Sequence, residues 1–177
     1  RGGVFAAGLG GLRAAWARWG KRRRRRLLNT IEVGTLPDVT ATKLGNKMSG
    51  RVNEQHYSRV WMLREVEASL QRLQTDHIDI LYLHRDFNGM DLEEPLFALQ
   101  ALLTAGKIRY WGLSNFRGWR IAEMVHMARA IGMPGPVVCQ PYYNLLNRMP
   151  EVEILPACEH YGIGVVPYSP VARGVLT

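Results

Sequence analysis

Lys43, His84, Ser114 with Asn115, Gln140 with Tyr143, and Tyr168 with Ser169 each end a short apolar or β-branched run of the chain. An ammonium, an imidazole, hydroxyls and carboxamides can move protons or hydrogen-bond a polar ligand. Singly, each has a plainer reading. Lys43 serves as a surface lysine, His84 as a core-edge histidine bonded to backbone, and Ser114-Asn115 as a helix N-cap. Five successive runs ending this way form a pattern that those separate readings do not explain.

The runs themselves predict strands at 38–43, 78–84, 108–114, 137–142 and 164–169. Each is bounded by turn residues and short enough for a buried parallel strand. Between them the apolar period lengthens to that of helices. Leu63, Val66, Leu70 and Leu73 form one stripe; Leu96, Leu99 and Leu103 form a second, starting near Pro95 and stopping at Gly106. A third stripe has Ile121, Met124, Val125 and Ala128 and ends near Gly132, and a fourth helix is predicted over 151–161, ending at Gly162. Strict β–α alternation implies an α/β protein with parallel strands and right-handed crossovers. A doubly wound dinucleotide fold would need G-x-G-x-x-G after its first strand, whereas Gly8-Leu9-Gly10-Gly11-Leu12-Arg13 puts Arg in the last position and follows no good strand. The expectation is therefore a partial (β/α)8 TIM barrel with about five β–α units, since a whole barrel takes about 250 residues. In such a barrel, functional side chains gather at the C-terminal ends of strands, where the polar residues fall.

Composition bounds the function classes. The chain has 177 residues, 47% of them hydrophobic, and a formal net charge of +8. Residues 1–26 hold nine basic side chains and no acidic one, leaving 14 basic against 15 acidic groups in the remaining 151. The body is near neutral, so nucleic-acid binding would rest on the Arg22–Arg26 run alone, and a solvated run is the simpler reading. No run of about 18 apolar residues predicts a membrane span, and no secretory signal is recognised. Cys139 and Cys158 read as ordinary buried thiols rather than a disulfide or metal site, which places the protein in the cytoplasm. Met124, Met127 and Met133 read as core filling.

Several segments together resemble the aldo-keto reductase family. They are Ala41-Thr42-Lys43, Ser69 to Leu73 leading into Asp76 to His84, Gly106 to Phe116, Gln140 to Arg148, and Tyr168-Ser169-Pro170 followed by Arg173-Gly174. Their wording is closest to the branch with bacterial reductases and potassium-channel β-subunits, and the resemblance covers about 36–177. It implies reduction of aldehydes or ketones by hydride transfer from NADPH, with a small-molecule carbonyl substrate. In the family a tyrosine donates the proton, a lysine lowers its proton affinity, an aspartate pairs the lysine, and a histidine orients the carbonyl oxygen. Lys43 matches that lysine and His84 that histidine. Ser114, Asn115 and Gln140 match positions that hydrogen-bond the nicotinamide carboxamide; Tyr168 matches the stacking ring, with Ser169 beside it in the cofactor site. His77, His126 and His160 match no part of this chemistry.

The resemblance fails upstream of the lysine. Residues 1–37 contain neither Asp nor Tyr, so the family's Asp-Thr-Ala…Tyr-Gly segment has no counterpart. Loss of a positioned general acid costs about 10²–10⁴-fold. Tyr57 is the first tyrosine and the one substitute near the lysine strand. Residues 1–36, rich in Arg, Ala and Gly, form an atypical basic segment, expected to be disordered or a misread start on an authentic body at 37–177. The family pattern also continues beyond Thr177, so the barrel is expected to be incomplete. A non-catalytic nicotinamide-binding regulatory subunit is the alternative function. Lys47 and Arg51, in the loop after the first strand, could meet an anionic substrate, but solvated loop charges are the simpler reading. The particular carbonyl, NADPH over NADH, and the oligomeric state stay open.

Overall fold

β-Branched runs separated by amphipathic stretches have one economical solution, in which strands lie side by side and helices cover one face. The computed structural model describes residues 39–45, 57–87 and 89–177 and has that arrangement. The basic segment 1–36, the start of the first strand at Asp38, and the loop residues Lys47 and Arg51 lie outside the described residues.

Five strands, β1 (Ala41–Leu44), β2 (Ile78–Leu83), β3 (Ile108–Ser114), β4 (Val138–Gln140) and β5 (Gly164–Val165), alternate with four helices, α1 (Arg59–Leu73), α2 (Glu93–Thr104), α3 (Gly118–Ala130) and α4 (Ile154–Tyr161). All neighbouring strands are parallel, in the spatial order β1-β2-β3-β4-β5. A doubly wound sheet reverses its strand order at a switch point. This sheet does not reverse, and so follows the wall of a barrel.

Period-2 alternation gives the sheet two apolar faces. Leu81, Leu83, Trp111, Leu113 and Cys139 pack outward against Met62, Val66, Leu99, Ile121, Met124 and Cys158 of the helices. Ile80, Tyr82 and Val138 point the other way, packed by Val39, Ala41, Tyr110 and Val166. Gly112 belongs to this inner layer, where a Cβ would stand 2.6 Å from both Val138 Cγ1 and Val138 O. Only glycine lets Tyr82 and Val138 meet across β3.

Local signals set the helix ends. Ser58 caps α1 by accepting from Trp61 N at 3.4 Å. Gly106, Gly132 and Gly162 follow α2, α3 and α4 with φ of 68°, 69° and 70°, the left-handed value that ends a helix. The buried Trp111 indole donates to Pro134 O at 2.8 Å. Cys139 and Cys158 are buried free thiols. Met124 and Met133 are buried, and Met127 packs on the core edge. Among the described residues no helix is long and apolar enough to cross a membrane.

Candidate active site at the C-terminal strand ends

The same alternation that buries Ile80, Tyr82 and Val138 on the inner face carries the chemistry-bearing residues there. Lys43 stands two positions after Ala41, His84 two after Tyr82, Ser114 two after Gly112, and Gln140 two after Val138. Lys43 pairs in register with Tyr82, and Ser114 with Gln140. Tyr168 joins them through a parallel bridge to Tyr142, two residues beyond β4.

Hydrogen bonds tie these ends together. Ser114 Oγ donates to Gln140 O at 2.8 Å. Asn115 Nδ2 donates to His84 O at 3.0 Å and lies 3.1 Å from Ser114 Oγ, while Tyr168 OH donates to Asn115 Oδ1 at 2.8 Å. Asn115 is thus the hub of three elements, and it holds a left-handed backbone with φ 56°. Asparagine tolerates that region better than most residues, but the surroundings must still enforce it. Gln140 is 1% exposed, and its Oε1 has no hydrogen-bond partner among the described residues. A buried acceptor in that condition costs about 1–3 kcal/mol unless something donates to it.

The two ionisable groups sit in a drying environment. Burial lowers the pKa of Lys43 below 10.5. Burial also lowers that of His84, and the positive charges of Lys43 and Arg85 push the same way. Near neutral pH the His84 ring is therefore uncharged and donates from one nitrogen only. The Lys43 ammonium lies 5.7 Å from the centroid of the Tyr168 ring, whose pKa burial raises. Tyr168 packs in turn on Tyr142 with centroids 5.3 Å apart.

Ser169 enters through its backbone, with φ 55° and its carbonyl accepting from Asn144 Nδ2 at 3.0 Å. Asn144 is buried, and its Oδ1 accepts from the backbone of Leu146 and Asn147, both at 3.0 Å, which fixes the loop after β4 against the segment after β5. The lock lies within the Tyr143-Asn144-Leu145-Leu146-Asn147-Arg148 segment, where no spacing marks Asn144 as its centre. Tyr143, which also ends a run, binds Glu151 Oε1 at 2.6 Å instead of joining the cluster.

Tyr57 does not join the strand-end cluster. Its ring is buried in the helix-side core over Gly45, and its hydroxyl donates to Arg85 O at 2.8 Å and accepts from Arg85 N at 3.0 Å. Burial pushes its pKa well above the usual phenol value. Among the described residues, no three His, Cys, Asp or Glu side chains converge as a metal site would require.

A parallel β/α wall with polar groups at its strand C-termini defines the barrel class of α/β proteins, whose ligand sites lie at that end. The Aldo/keto reductase family matches residues 38–177, and the chain belongs to that family. It is 39% identical over 113 residues to aflatoxin B1 aldehyde reductase member 2 of Homo sapiens, covering 64% of this chain and 32% of that protein. It is 37% identical over 126 residues to a probable voltage-gated potassium channel subunit beta of Arabidopsis thaliana, covering 71% of this chain and 38% of the relative. An aldo-keto reductase of Babesia bovis is 36% identical over 171 residues, covering 78% of this chain and 60% of that protein. The chain therefore spans about a third to three fifths of the length of these relatives.

Proposed function

We propose that residues 37–177 are the cofactor-holding and carbonyl-orienting part of an NADPH-dependent reductase of aldehydes or ketones, with 1–36 a segment apart from it. The single observation that carries the reading is the Gln140 Oε1 acceptor, which is buried at the strand C-termini beside Ser114 with no donor among the described residues. Asp79 Oδ1, the other such atom, lies at the opposite end of the sheet near the His77 and Arg109 charges. A planar primary amide would satisfy Gln140 Oε1, and nicotinamide bears one on an aromatic ring that suits the Tyr168 face. On this reading Ser114, Asn115, Gln140, Tyr168 and Ser169 hold the cofactor, and Lys43 and His84 act on the substrate. Bound there, NADPH would supply a hydride to a carbonyl carbon.

The chain's own residues handle the oxygen. Neutral His84 donates a hydrogen bond to it, fixing which face of the carbonyl is presented. Lys43, already weakened in its hold on a proton by burial, gives that proton to the developing alkoxide and is recharged from solvent. A lysine in the tyrosine's place is a poorer acid for the task, so turnover is expected about 10²–10⁴-fold below that of an enzyme with a positioned acid. The buried thiols and near-neutral body suit the cytoplasm.

A second reading has its own support. Residues 1–37 lack tyrosine and aspartate, and two plant relatives carry the name of probable channel β-subunits. In that case the same residues bind the nicotinamide and report its redox state to a partner without turnover. Mixing the purified chain with NADPH and a panel of aldehydes separates the two. Aldehyde-dependent loss of NADPH absorbance is expected for the reductase, and tight binding with no loss is expected for the regulatory subunit.

A further inference from the structure

Arg120 lies in the first turn of α3, six residues beyond Ser114 at the end of β3, and is 8% exposed. A guanidinium so buried must satisfy its fork of donors. Nε donates to Asp86 Oδ1 at 3.2 Å, Nη2 to Met90 O at 2.8 Å, and Nη1 to Glu123 Oε2 at 2.8 Å. Its plane lies 5.1 Å from the Trp119 ring centroid. Only the Glu123 bond stays within α3. The other two reach the loop between β2 and α2, where Asp86 stands two residues beyond His84.

That loop and Asn115 grip each other from both sides. Asp86 N donates to Asn115 O at 3.3 Å, and Asn115 Nδ2 donates to His84 O at 3.0 Å. Asn115 is the residue with the left-handed backbone, and its side chain reaches both Ser114 and Tyr168. Its conformation is over-determined only if the His84–Met90 segment is itself held still. Arg120, with one bond to each of Asp86 and Met90, spans that segment.

We infer that Arg120, acting through Asp86, is a positioning residue that fixes the loop after His84 and thereby holds Asn115 and His84 in their site geometry. It touches neither substrate nor cofactor in the reading above, on which this inference rests only for its link to binding. An arginine serving the fold alone would leave the site unchanged once the protein had folded. A bidentate reach to two points of one loop is what distinguishes positioning from simple charge pairing.

The test uses Arg120→Gln, Arg120→Lys and Asp86→Asn in the full chain, followed by nuclear magnetic resonance of the Asn115 side-chain amide and the His84 imidazole. Asp86→Asn keeps shape and an acceptor, and serves if the arginine variants do not fold. The expected result is that the Asn115 amide signals move and the His84 titration midpoint rises toward its ordinary value as water enters, with Lys43 and Arg85 still facing it. His126, bonded to Tyr161 on the far side of α3, serves as the unchanged control. Arg120→Lys keeps the charge but not the fork, and is expected to resemble Arg120→Gln. NADPH dissociation constants should rise about tenfold, the order expected when a supporting group of a preorganised site is lost. Asn115 and His84 signals superimposable on those of the unsubstituted chain, in a folded variant, overturn the inference. If the unsubstituted chain binds no NADPH while these signals still move, the reductase reading falls and the positioning role stands.

Discussion

The N-terminal end of the sheet buries Asp79 with compensating groups around it, whereas the C-terminal end gathers Lys43, His84 and an acceptor on Gln140 that nothing described donates to. Asp79 Oδ2 accepts from Thr40 N at 2.8 Å, and Oδ1 lies 3.6 Å from both His77 Nε2 and Arg109 Nη1. That distance is close enough for charge attraction and too long for a hydrogen bond. Burial raises the Asp79 pKa, with the Thr40 bond and the His77 and Arg109 charges opposing it. At the other end both bases are pushed toward their neutral forms, Lys43 by burial and His84 by burial and then by the Lys43 and Arg85 charges. Both ends bury a side-chain oxygen with no hydrogen-bond donor among the described residues, Asp79 Oδ1 and Gln140 Oε1. At the first, the Thr40 amide and the His77 and Arg109 charges offset part of the burial, and at the second no such group is described. In a barrel the second end is the working end.

The largest break in this contrast is expected from Lys43→Met. Carbonyl-dependent NADPH oxidation should fall by about 10²–10⁴-fold, while the melting temperature holds or rises because a desolvated charge is gone. Next is Asp79→Ala, which removes the acceptor for Thr40 N and the counter-charge for His77 and Arg109. Denaturant unfolding should show a loss of up to about 1–3 kcal/mol that is largest at low pH and shrinks as pH rises, with cofactor affinity unchanged. Gln140→Leu should do the reverse. Nicotinamide binding should weaken about tenfold, while unfolding stability stays level, since the orphaned oxygen leaves with the side chain.

The smallest effect is in pH dependence. The folded pKa of His84 lies below its ordinary 6.5, so the unfolded chain takes up the proton first. Stability is therefore full above that value and declines as pH falls through it. His84→Gln should flatten that part of a melting-temperature profile. Asp79 has the opposite sign: its raised pKa makes the unfolded chain ionise first as pH rises through 3.8, so its contribution is lost upward rather than downward.

How much of this was legible depended on whether the signal was local. β3 falls at 108–114, the span its pattern predicts, because it is apolar, central and unbroken. The runs at 137–142 and 164–169 shorten to Val138–Gln140 and Gly164–Val165, since Pro141 and Pro167 cannot donate to a ladder. The α1 stripe is rotated from the leucine count. Trp61, Met62, Val66, Ser69 and Leu70 are buried, while Leu63 is only partly so. A tryptophan and a methionine near the helix start outweigh a leucine at the periphery. α4 begins at Ile154 because Met149–Glu151 forms a separate 3-10 turn.

The strand-end residues were legible as a set, since alternation and strand order place them on one face without tertiary information. Their supports were not. Arg120 and Asp86 are 34 positions apart, and Asp79 reads as one more charge near a turn until its burial is known. Side chains that act through a fold rather than through a spacing leave no period to count. The left-handed Asn115 is a middle case. Asparagine after serine suggests a helix cap, and the cap reading gives way because α3 begins only at Gly118, with Arg117 as its extended leading residue.

The central claim is that the C-terminal strand ends form a nicotinamide site built around the Gln140 acceptor. The direct measurement is titration of NADPH into the full chain, followed by cofactor fluorescence and repeated with Gln140→Leu and Tyr168→Ala. Saturable binding that weakens about tenfold in each variant is the expected result. Absence of saturable binding, or binding that both variants leave untouched, would contradict the account.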